Sequence, residues 1–269
     1  MSWASRRRTT YLSGVFIFFA LLVGIPVAHY FLSIKPTCFD GKQNQGETAV
    51  DEGGPCLKLN PAALSPSATL WARSFKVRGG SYTAVAYVEN PNPNAGVAQA
   101  QYHFGLYDSQ NVLIAERNGT TFILPGGITP VLETGIDTGN RVAVHTCFQL
   151  NSDTCLQNAN NPLTWDRMTS PASNIRVSNN QVSDTDTMPR ITARVENVGF
   201  APMSNISFVA VAFDPYGNAI AASGTALPDL PPSSPQQITF TWPQPFPGSV
   251  GRVDIIPLLP PVEAPPKGT

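Results

Sequence analysis

The nine residues YTAVAYVEN at positions 82–90 indicate the fold class of this chain. Their alternation places Ala84, Ala86 and Val88 on one side of an extended strand, as expected where one face of a sheet is buried. The last three residues, Val88-Glu89-Asn90, return 107 residues later as Val195-Glu196-Asn197. We therefore expect the chain to carry two copies of one β-rich module.

Further matches follow in the same order at a separation of 106–107 residues. Ordered matches at a nearly constant separation indicate a duplication rather than chance. The matched pairs are Leu106-Tyr107-Asp108 with Ala212-Phe213-Asp214, Asn111 to Ala115 with Asn218 to Ala222, and Leu124-Pro125 with Leu230-Pro231.

Each copy contains short alternating segments separated by turns rich in proline, glycine and asparagine. Such segments at intervals of about 8–12 residues are typical of antiparallel sandwiches, and we expect about seven strands per copy. In the first copy, Asn118-Gly119 is expected to turn a hairpin between Val112–Glu116 and Thr120–Leu124. The predicted fold class is all-β, with two tandem immunoglobulin-like antiparallel β-sandwiches, residues 67–157 and 174–258, preceded by one transmembrane α-helix.

The string Phe104-Gly105-Leu106-Tyr107-Asp108 resembles the motif of the FxLYD family, small immunoglobulin-like domains of exported prokaryotic proteins. The similarity covers most of residues 80–140. In the second copy Ala210, Ala212 and Phe213 stand at the Phe, Leu and Tyr positions of the motif, so its membership is inferred through the repeat. The resemblance implies a sandwich used for binding or spacing, without catalytic residues. In physical terms, Phe104 and Leu106 should be core residues and Asp108 should begin a turn.

An apolar run precedes the two modules. Residues 11–34 contain no Asp, Glu, Lys or Arg, and Arg6-Arg7-Arg8 come directly before them. A helix of that length can cross a bilayer, and the basic residues place the N-terminal end on the cytoplasmic side. We expect residues 1–10 to be cytoplasmic, 11–34 to span the membrane and the remainder to be extracytoplasmic. A cleaved signal peptide is the alternative, although the run is longer than usual and lacks a small-x-small cleavage site.

The four cysteines lie beyond the apolar run, in two locally spaced pairs. An even number in an exported chain predicts disulfides, and the simplest connectivity joins Cys38 to Cys56 and Cys147 to Cys155. Chain entropy gives these bridges about 3 and about 2.5 kcal/mol of stabilisation. Zinc binding is the alternative, but zinc sites generally use more closely spaced pairs than either of these.

The segment 38–56 resembles a short cysteine-bounded motif of cell-surface proteins, with Glu52 at the position of its inner cysteine. No activity comes with this resemblance. Four oxygen-bearing side chains crowd the loop, so Ca²⁺ binding is an alternative to a plain polar turn cluster, although the spacing is not that of an EF-hand. These residues are Asp40, Asn44, Glu47 and Asp51.

The remaining segments are predicted to connect or trail the modules. Residues 35–66 form the cysteine-bounded loop and a linker, and residues 158–173 form a second linker in which Trp165 is expected to pack at the junction. The proline-rich tail 259–269 should be extended or disordered.

Composition and motifs give no indication of catalysis. Charged residues make up 13% of the chain and the net charge is -1, so no basic field is available for a nucleic acid. His103 should point outward from its strand, and neither it nor His145 belongs to a recognisable catalytic motif. We expect a protein that is not an enzyme and needs no cofactor.

These observations predict a membrane-anchored extracytoplasmic surface protein that acts as a scaffold, adhesion or assembly module. Its expected partners are the lipid bilayer, through residues 11–34, and other envelope or surface proteins. The alternative is a surface protein that binds carbohydrate or calcium through the sandwich loops or the Cys38–Cys56 loop. Fold alone does not separate the two.

Overall fold

The computed structural model describes residues 3–33, 37–152, 155 and 162–264. Helix α1 (Trp3–Ser33) contains the predicted membrane span except for residue 34, which lies outside the described residues. Within α1, Arg7–His29 has a mean hydropathy of 2.2 and is long and apolar enough to cross a membrane. A signal sequence near the N-terminus can also be long and apolar enough, so α1 is a membrane anchor or a signal.

The first module consists of strands β1 to β6 in two antiparallel sheets. One sheet has the order β1-β2-β5, and in the other β3 lies between β4 and β6. A short 3₁₀ turn, Pro61–Ala63, precedes them. The strands are β1 (Ala68–Arg78), β2 (Ser81–Asn90), β3 (Ala95–Tyr107), β4 (Leu113–Ile123), β5 (Gly127–Asp137) and β6 (His145–Leu150).

Strand β7 (Asp166–Thr169) and a 3₁₀ turn (Pro171–Asn174) lead into the second module, which consists of β8 to β13. Its sheets have the orders β8-β9-β12 and β11-β10-β13, and all pairs are antiparallel. A last strand, β14 (Val262–Glu263), follows. The strands of the second module are β8 (Ile175–Ser183), β9 (Arg190–Asn197), β10 (Met203–Phe213), β11 (Ala219–Leu230), β12 (Gln236–Thr241) and β13 (Arg252–Leu258).

The two modules have the same topology. Replacing β1 to β6 by β8 to β13 in order converts the sheets of the first module into those of the second. The predicted all-β class, with two antiparallel sandwiches after one apolar helix, is therefore confirmed. The described residues give each module six strands rather than about seven.

The difference in strand number in the first module has a local cause at Asn118-Gly119. This dipeptide does not turn a hairpin but lies in the middle of β4, paired with Tyr102 and His103 of β3. A Cβ on Gly119 would overlap the Tyr102 hydroxyl, so the glycine provides a close approach rather than a turn.

Three apolar clusters fix the order of the sheets. The first lies between the two sheets of the first module and includes Phe104 and Ala86, and the second fills the second module around Phe208. The third joins residues on the outer faces of sheets β1-β2-β5 and β11-β10-β13, among them Val85 and Val211. In the described part of the chain the two modules thus pack face to face, as a stack of four sheets.

Aromatic rings form the centre of this face-to-face contact, which we call the module interface. Trp71 and Tyr87 of the first module have ring centroids 4.4 Å apart. Phe213 of the second module lies edge-on to Trp71 at 6.0 Å, and the Arg252 guanidinium lies 4.2 Å from the centre of the Phe213 ring. At the rim, an Arg73 guanidinium nitrogen donates to a backbone carbonyl of the second module at 3.2 Å.

Strand β7 joins three parts of the unit Cys56–Thr269. It pairs with the start of β3 and with β14, and its Arg167 N–H donates to the carbonyl of Leu57, while the carbonyl of Trp165, directly before β7, accepts from the N–H of Leu59. Trp165, directly before β7, packs into the core of the first module rather than between the modules. Of the predicted tail, residues 262–263 are strand, and 265–269 lie outside the described residues, as do 158–161 of the predicted linker.

Candidate functional site

The motif residues of the first module are placed by the sheet and its turn. Phe104 and Leu106 are fully buried in the core, whereas Tyr107 lies on the opposite face of β3 and is half-buried. Oδ1 of Asp108 accepts hydrogen bonds from the backbone N–H groups of Gln110 at 3.0 Å and Val112 at 2.9 Å. These residues therefore build a sheet and a turn.

The second module repeats this turn at Asp214. Its Oδ1 accepts from the backbone N–H groups of Tyr216 at 2.9 Å and Asn218 at 2.7 Å. The Asn218 side chain holds the pKa of Asp214 below its usual value, and backbone N–H groups lower the pKa of Asp108 in the same way, with help from Arg141.

Two buried asparagines, one in each module, make equivalent hydrogen bonds to the backbone. Nδ2 of Asn90 donates to the carbonyls of Ala95 at 2.7 Å and Leu124 at 2.8 Å. Nδ2 of Asn197 donates to Ala201 at 2.8 Å and Leu230 at 3.0 Å. Each asparagine is fully buried, and its Oδ1 accepts a backbone N–H two residues further on.

The carboxylates of the cysteine-bounded loop accept hydrogen bonds from the loop itself, whereas the buried side-chain oxygen of Asn44 has no hydrogen-bond partner among the described residues. Asp40 accepts from the side chain of Asn44 at 2.9 Å, and Asp51 accepts from the N–H groups of Asp40 and Gly41. Glu47 accepts from the N–H groups of Asn44 and Asp51. The hydrogen bond from Asn44 lowers the pKa of Asp40. The polar turn cluster and the Ca²⁺ site at Asp40, Asn44, Glu47 and Asp51 both stay predictions.

The cysteines are all disulfide-bonded. Cys147 bonds to Cys155, and with that pair formed, the other disulfide joins Cys38 and Cys56. Their sulfurs are therefore not thiolate ligands for zinc.

The two histidines of the β-rich region differ in environment. His103 is on the outward side of β3 as expected, yet it is only 2% exposed, and its Nδ1 lies 2.6 Å from the Asn118 side-chain oxygen. His145 is exposed at the start of β6, with its ring 5.9 Å from that of Tyr107. Neither is paired with a nucleophile in a described contact.

A groove of about 640 Å³ lies beside the module interface, and we call it the intermodule groove. One wall is the outer face of sheet β11-β10-β13 where it extends past the first module, with Ser207 and Ala226. The other wall is formed by the edge strands β4 and β5 of the first module, with Phe122 and Thr134. Its volume is within the range of about 300–1,000 Å³ common for small-ligand sites.

The lining of this groove combines apolar side chains with uncharged hydrogen-bonding groups. None of the described residues that line it is charged. Tyr102 lines it as well, but its hydroxyl donates to the Glu133 carboxylate, and burial together with this partner raises the pKa of the phenol. The side chains with hydrogen-bonding groups are Tyr102, Thr120, Thr121, Thr134, Asn205, Ser207 and Thr225.

Sequence reasoning missed the intermodule groove and the module interface. For the module interface a signal was available, since β2 and β10 are apolar on both faces, at TAVAY (83–87) and FVAVAF (208–213). A strand with that pattern is expected to be covered on both sides.

Comparisons with known proteins add no name. No protein-family model and no curated protein matches the chain. A transglutaminase structure from red sea bream is 12% identical over 70% of this chain and 31% of its own, with a TM-score of 0.23. A structure named as a beta-galactosidase from Bacteroides fragilis is 13% identical over 69% of this chain and 33% of its own, with a TM-score of 0.19. The chain thus spans less than half of either protein, and neither likeness carries an argument.

Proposed function

We propose that this protein is a membrane-anchored, extracytoplasmic and non-enzymatic surface protein that presents a rigid two-module block for binding or assembly. Its partners would be the bilayer, through residues 11–34, and other proteins of the same envelope or surface. The module interface is the observation that carries the proposal. Independent modules on a linker would move, whereas a large apolar contact holds them in one arrangement.

The placement of the block outside the cytoplasm is supported by two features. Disulfides persist in oxidising compartments, and every cysteine of the chain is bonded. The basic residues Arg6 to Arg8 precede the apolar run, which favours a cytoplasmic N-terminal end, and the length of the run without a small-x-small cleavage site favours an uncleaved anchor.

The non-enzymatic part of the proposal is supported by how the buried polar groups are used. Asn90, Asn197 and Asp108 each bond backbone groups that the strands leave unpaired. Such bonds stabilise turns and strand ends. The shared Asp108 and Asp214 turns also support membership of both modules in an FxLYD-like family.

Topology can be tested by cysteine labelling in the native membrane. Gln110→Cys places a thiol on an exposed turn of the first module, and Ser5→Cys places one before the apolar run. We expect a membrane-impermeant maleimide to label Gln110→Cys in intact cells and Ser5→Cys only after permeabilisation. The reverse pattern, or release of the block from the membrane by cleavage, would contradict the proposed anchoring.

Assembly can be tested by photo-crosslinking in the intact envelope. A photoreactive residue in place of Phe200, Tyr216 or Val144 would sample three exposed apolar positions. We expect at least one of them to give a specific crosslink to another envelope component, with Ser5 as the matched control. Recovery of only the uncrosslinked chain from all three positions would count against a scaffold or assembly role.

A further inference from the structure

We propose that the intermodule groove binds a neutral saccharide chain. This inference deepens the proposed function, on which it rests, because it names a ligand class for the block. The two walls of the groove come from different modules, so the site exists only because the modules are packed together.

The first argument is hydrogen-bonding capacity. Thr120, Thr134, Asn205 and Ser207 are exposed in the groove, and their side chains have no hydrogen bond to the described protein residues. Each hydroxyl both donates and accepts, and an amide offers both functions as well. A ligand that carries many hydroxyls can satisfy this set without any charge.

The second argument is the apolar part of the lining. Phe122 is partly exposed and Pro260 is exposed, and both line the groove. The C–H face of a sugar ring packs on such flat apolar surfaces while its hydroxyls reach polar groups at the edges. Mixed apolar and hydroxyl-bearing walls therefore fit a pyranose better than a hydrocarbon.

The third argument is what the groove disfavours. The absence of charge from its described lining gives a polyanion no cationic partner. Of the three edge strands at the groove, β5 and β11 contain Pro130 and Pro228, which interrupt a hydrogen-bonding edge for an added peptide strand, whereas β4 contains no proline, so a peptide is included among the probes below.

The fourth argument is that the groove is already formed. A Cβ on Gly224 of β11 would lie 2.9 Å from Leu132 Cδ2 of β5, so the second module meets the first closely beside the groove. A preformed site avoids the entropic cost of ordering its walls when a ligand binds.

The test uses the full chain in phosphatidylcholine nanodiscs, because maltoside detergents would themselves offer a saccharide. The probes are chitohexaose, cellohexaose, maltohexaose and mannohexaose, titrated to millimolar concentration by calorimetry and followed by NMR. A heparin hexasaccharide and an unstructured peptide serve as charged and peptide probes. We expect saturable binding of at least one neutral hexasaccharide. We expect no binding of the heparin hexasaccharide or of the peptide.

Variants locate the site. Ala226→Trp should fill the groove and abolish binding, and Phe122→Ala and Thr134→Val should each weaken it by about 10-fold, the scale of one lost packing or hydrogen-bonding contact. The matched controls are Thr239→Trp and Thr239→Val on an exposed position of β12, outside the groove lining. Both should bind as the wild type does.

The proposal is overturned if no neutral probe binds, if Ala226→Trp binds as well as Thr239→Trp, or if heparin or the peptide binds in the groove instead. A protein that is labelled and crosslinked as proposed above, yet binds no neutral saccharide, would refute only the ligand class. A protein with inverted topology that still binds would refute only the surface role.

Discussion

Asn90 and Asn197 occupy equivalent positions in the two modules, and each satisfies backbone hydrogen-bonding groups at the ends of strands. Each side chain bonds two carbonyls from the loop or strand end beside it and accepts one N–H, at nearly equal distances in both copies. Backbone groups buried without a partner are expensive, so one asparagine satisfies several of them at once. The repeated Val-Glu-Asn string marked these positions in the sequence, but not their bonds, because the partners lie up to 34 residues away.

The first prediction concerns these asparagines. Asn90→Ala or Asn197→Ala should lower the free energy of unfolding by about 2–4 kcal/mol, because buried carbonyls are left without donors. Urea unfolding of each variant measures the loss. Asn140→Ala, at an exposed turn, is the control and should stay within about 0.5 kcal/mol of the wild type. Equal stabilities of Asn90→Ala and Asn140→Ala would refute the role of the side chain.

The second prediction concerns pH. The pKa of Asp108 and of Asp214 is lowered in the folded protein, so each carboxylate contributes stability above its unfolded pKa and loses it as pH falls through the folded value. Stability should therefore decrease below about pH 4. In the double variant Asp108→Asn/Asp214→Asn this decrease should be smaller, as measured by urea unfolding across the acid range.

The control for this pH dependence is Asp229→Asn, an exposed position in β11. It should unfold with the same pH profile as the wild type. If the double variant does so as well, the two turn carboxylates are not the source of the acid sensitivity.

Among the strands, β4 separates what periodicity can predict from what it cannot. The alternation placed extended segments on both sides of Asn118-Gly119, and both segments are strand. Asn-Gly favours hairpins, so the sequence predicts a turn at this dipeptide. Packing against Tyr102 from the neighbouring strand decides the local conformation instead, and that contact is not visible in local sequence.

The third prediction tests this close approach. Gly119→Ala should destabilise the protein by about 1–3 kcal/mol, because the new methyl group displaces the Tyr102 ring and its bond to Glu133. Gly248→Ala is the matched control, since nothing lies within 4 Å of a Cβ there. Thermal or urea unfolding of the pair gives the comparison, and equal effects would contradict the packing argument.

Strands β2 and β10 explain why the sequence predicted two sandwiches but not their packing. In each strand, every second residue is an apolar residue that points into the core of its own sandwich. This alternation predicted the fold class. The other face carries Val85 and Tyr87 in β2 and Val209, Val211 and Phe213 in β10, which meet in the module interface. Recognising the contact requires knowing that both outer faces are apolar and face each other, which is a tertiary property.

The equivalent outer faces of the two modules differ in polarity. Where the first module has Trp71, Val85 and Tyr87, the repeat places Ser178, Thr192 and Arg194 in the second. The outer face of sheet β8-β9-β12 is therefore polar at these three positions, where the first module has its apolar contact surface. The intermodule groove follows from the same asymmetry, because it lies where the packed faces end. No local pattern in the sequence could have located it.

The two modules form one packed body. A double-mutant cycle between Trp71 and Phe213 measures the energetic coupling across the module interface that holds them together. These residues are 142 positions apart in the chain, and their rings lie 6.0 Å apart across the module interface. Unfolding free energies of Trp71→Ala, Phe213→Ala and the double variant give the coupling energy, with Trp71 and Phe240 of the second module's core as the control pair. If the interface is packed, we expect a coupling energy of about 0.5–1.5 kcal/mol for Trp71 with Phe213 and of about zero for the control pair. Additive effects of Trp71→Ala and Phe213→Ala would contradict it.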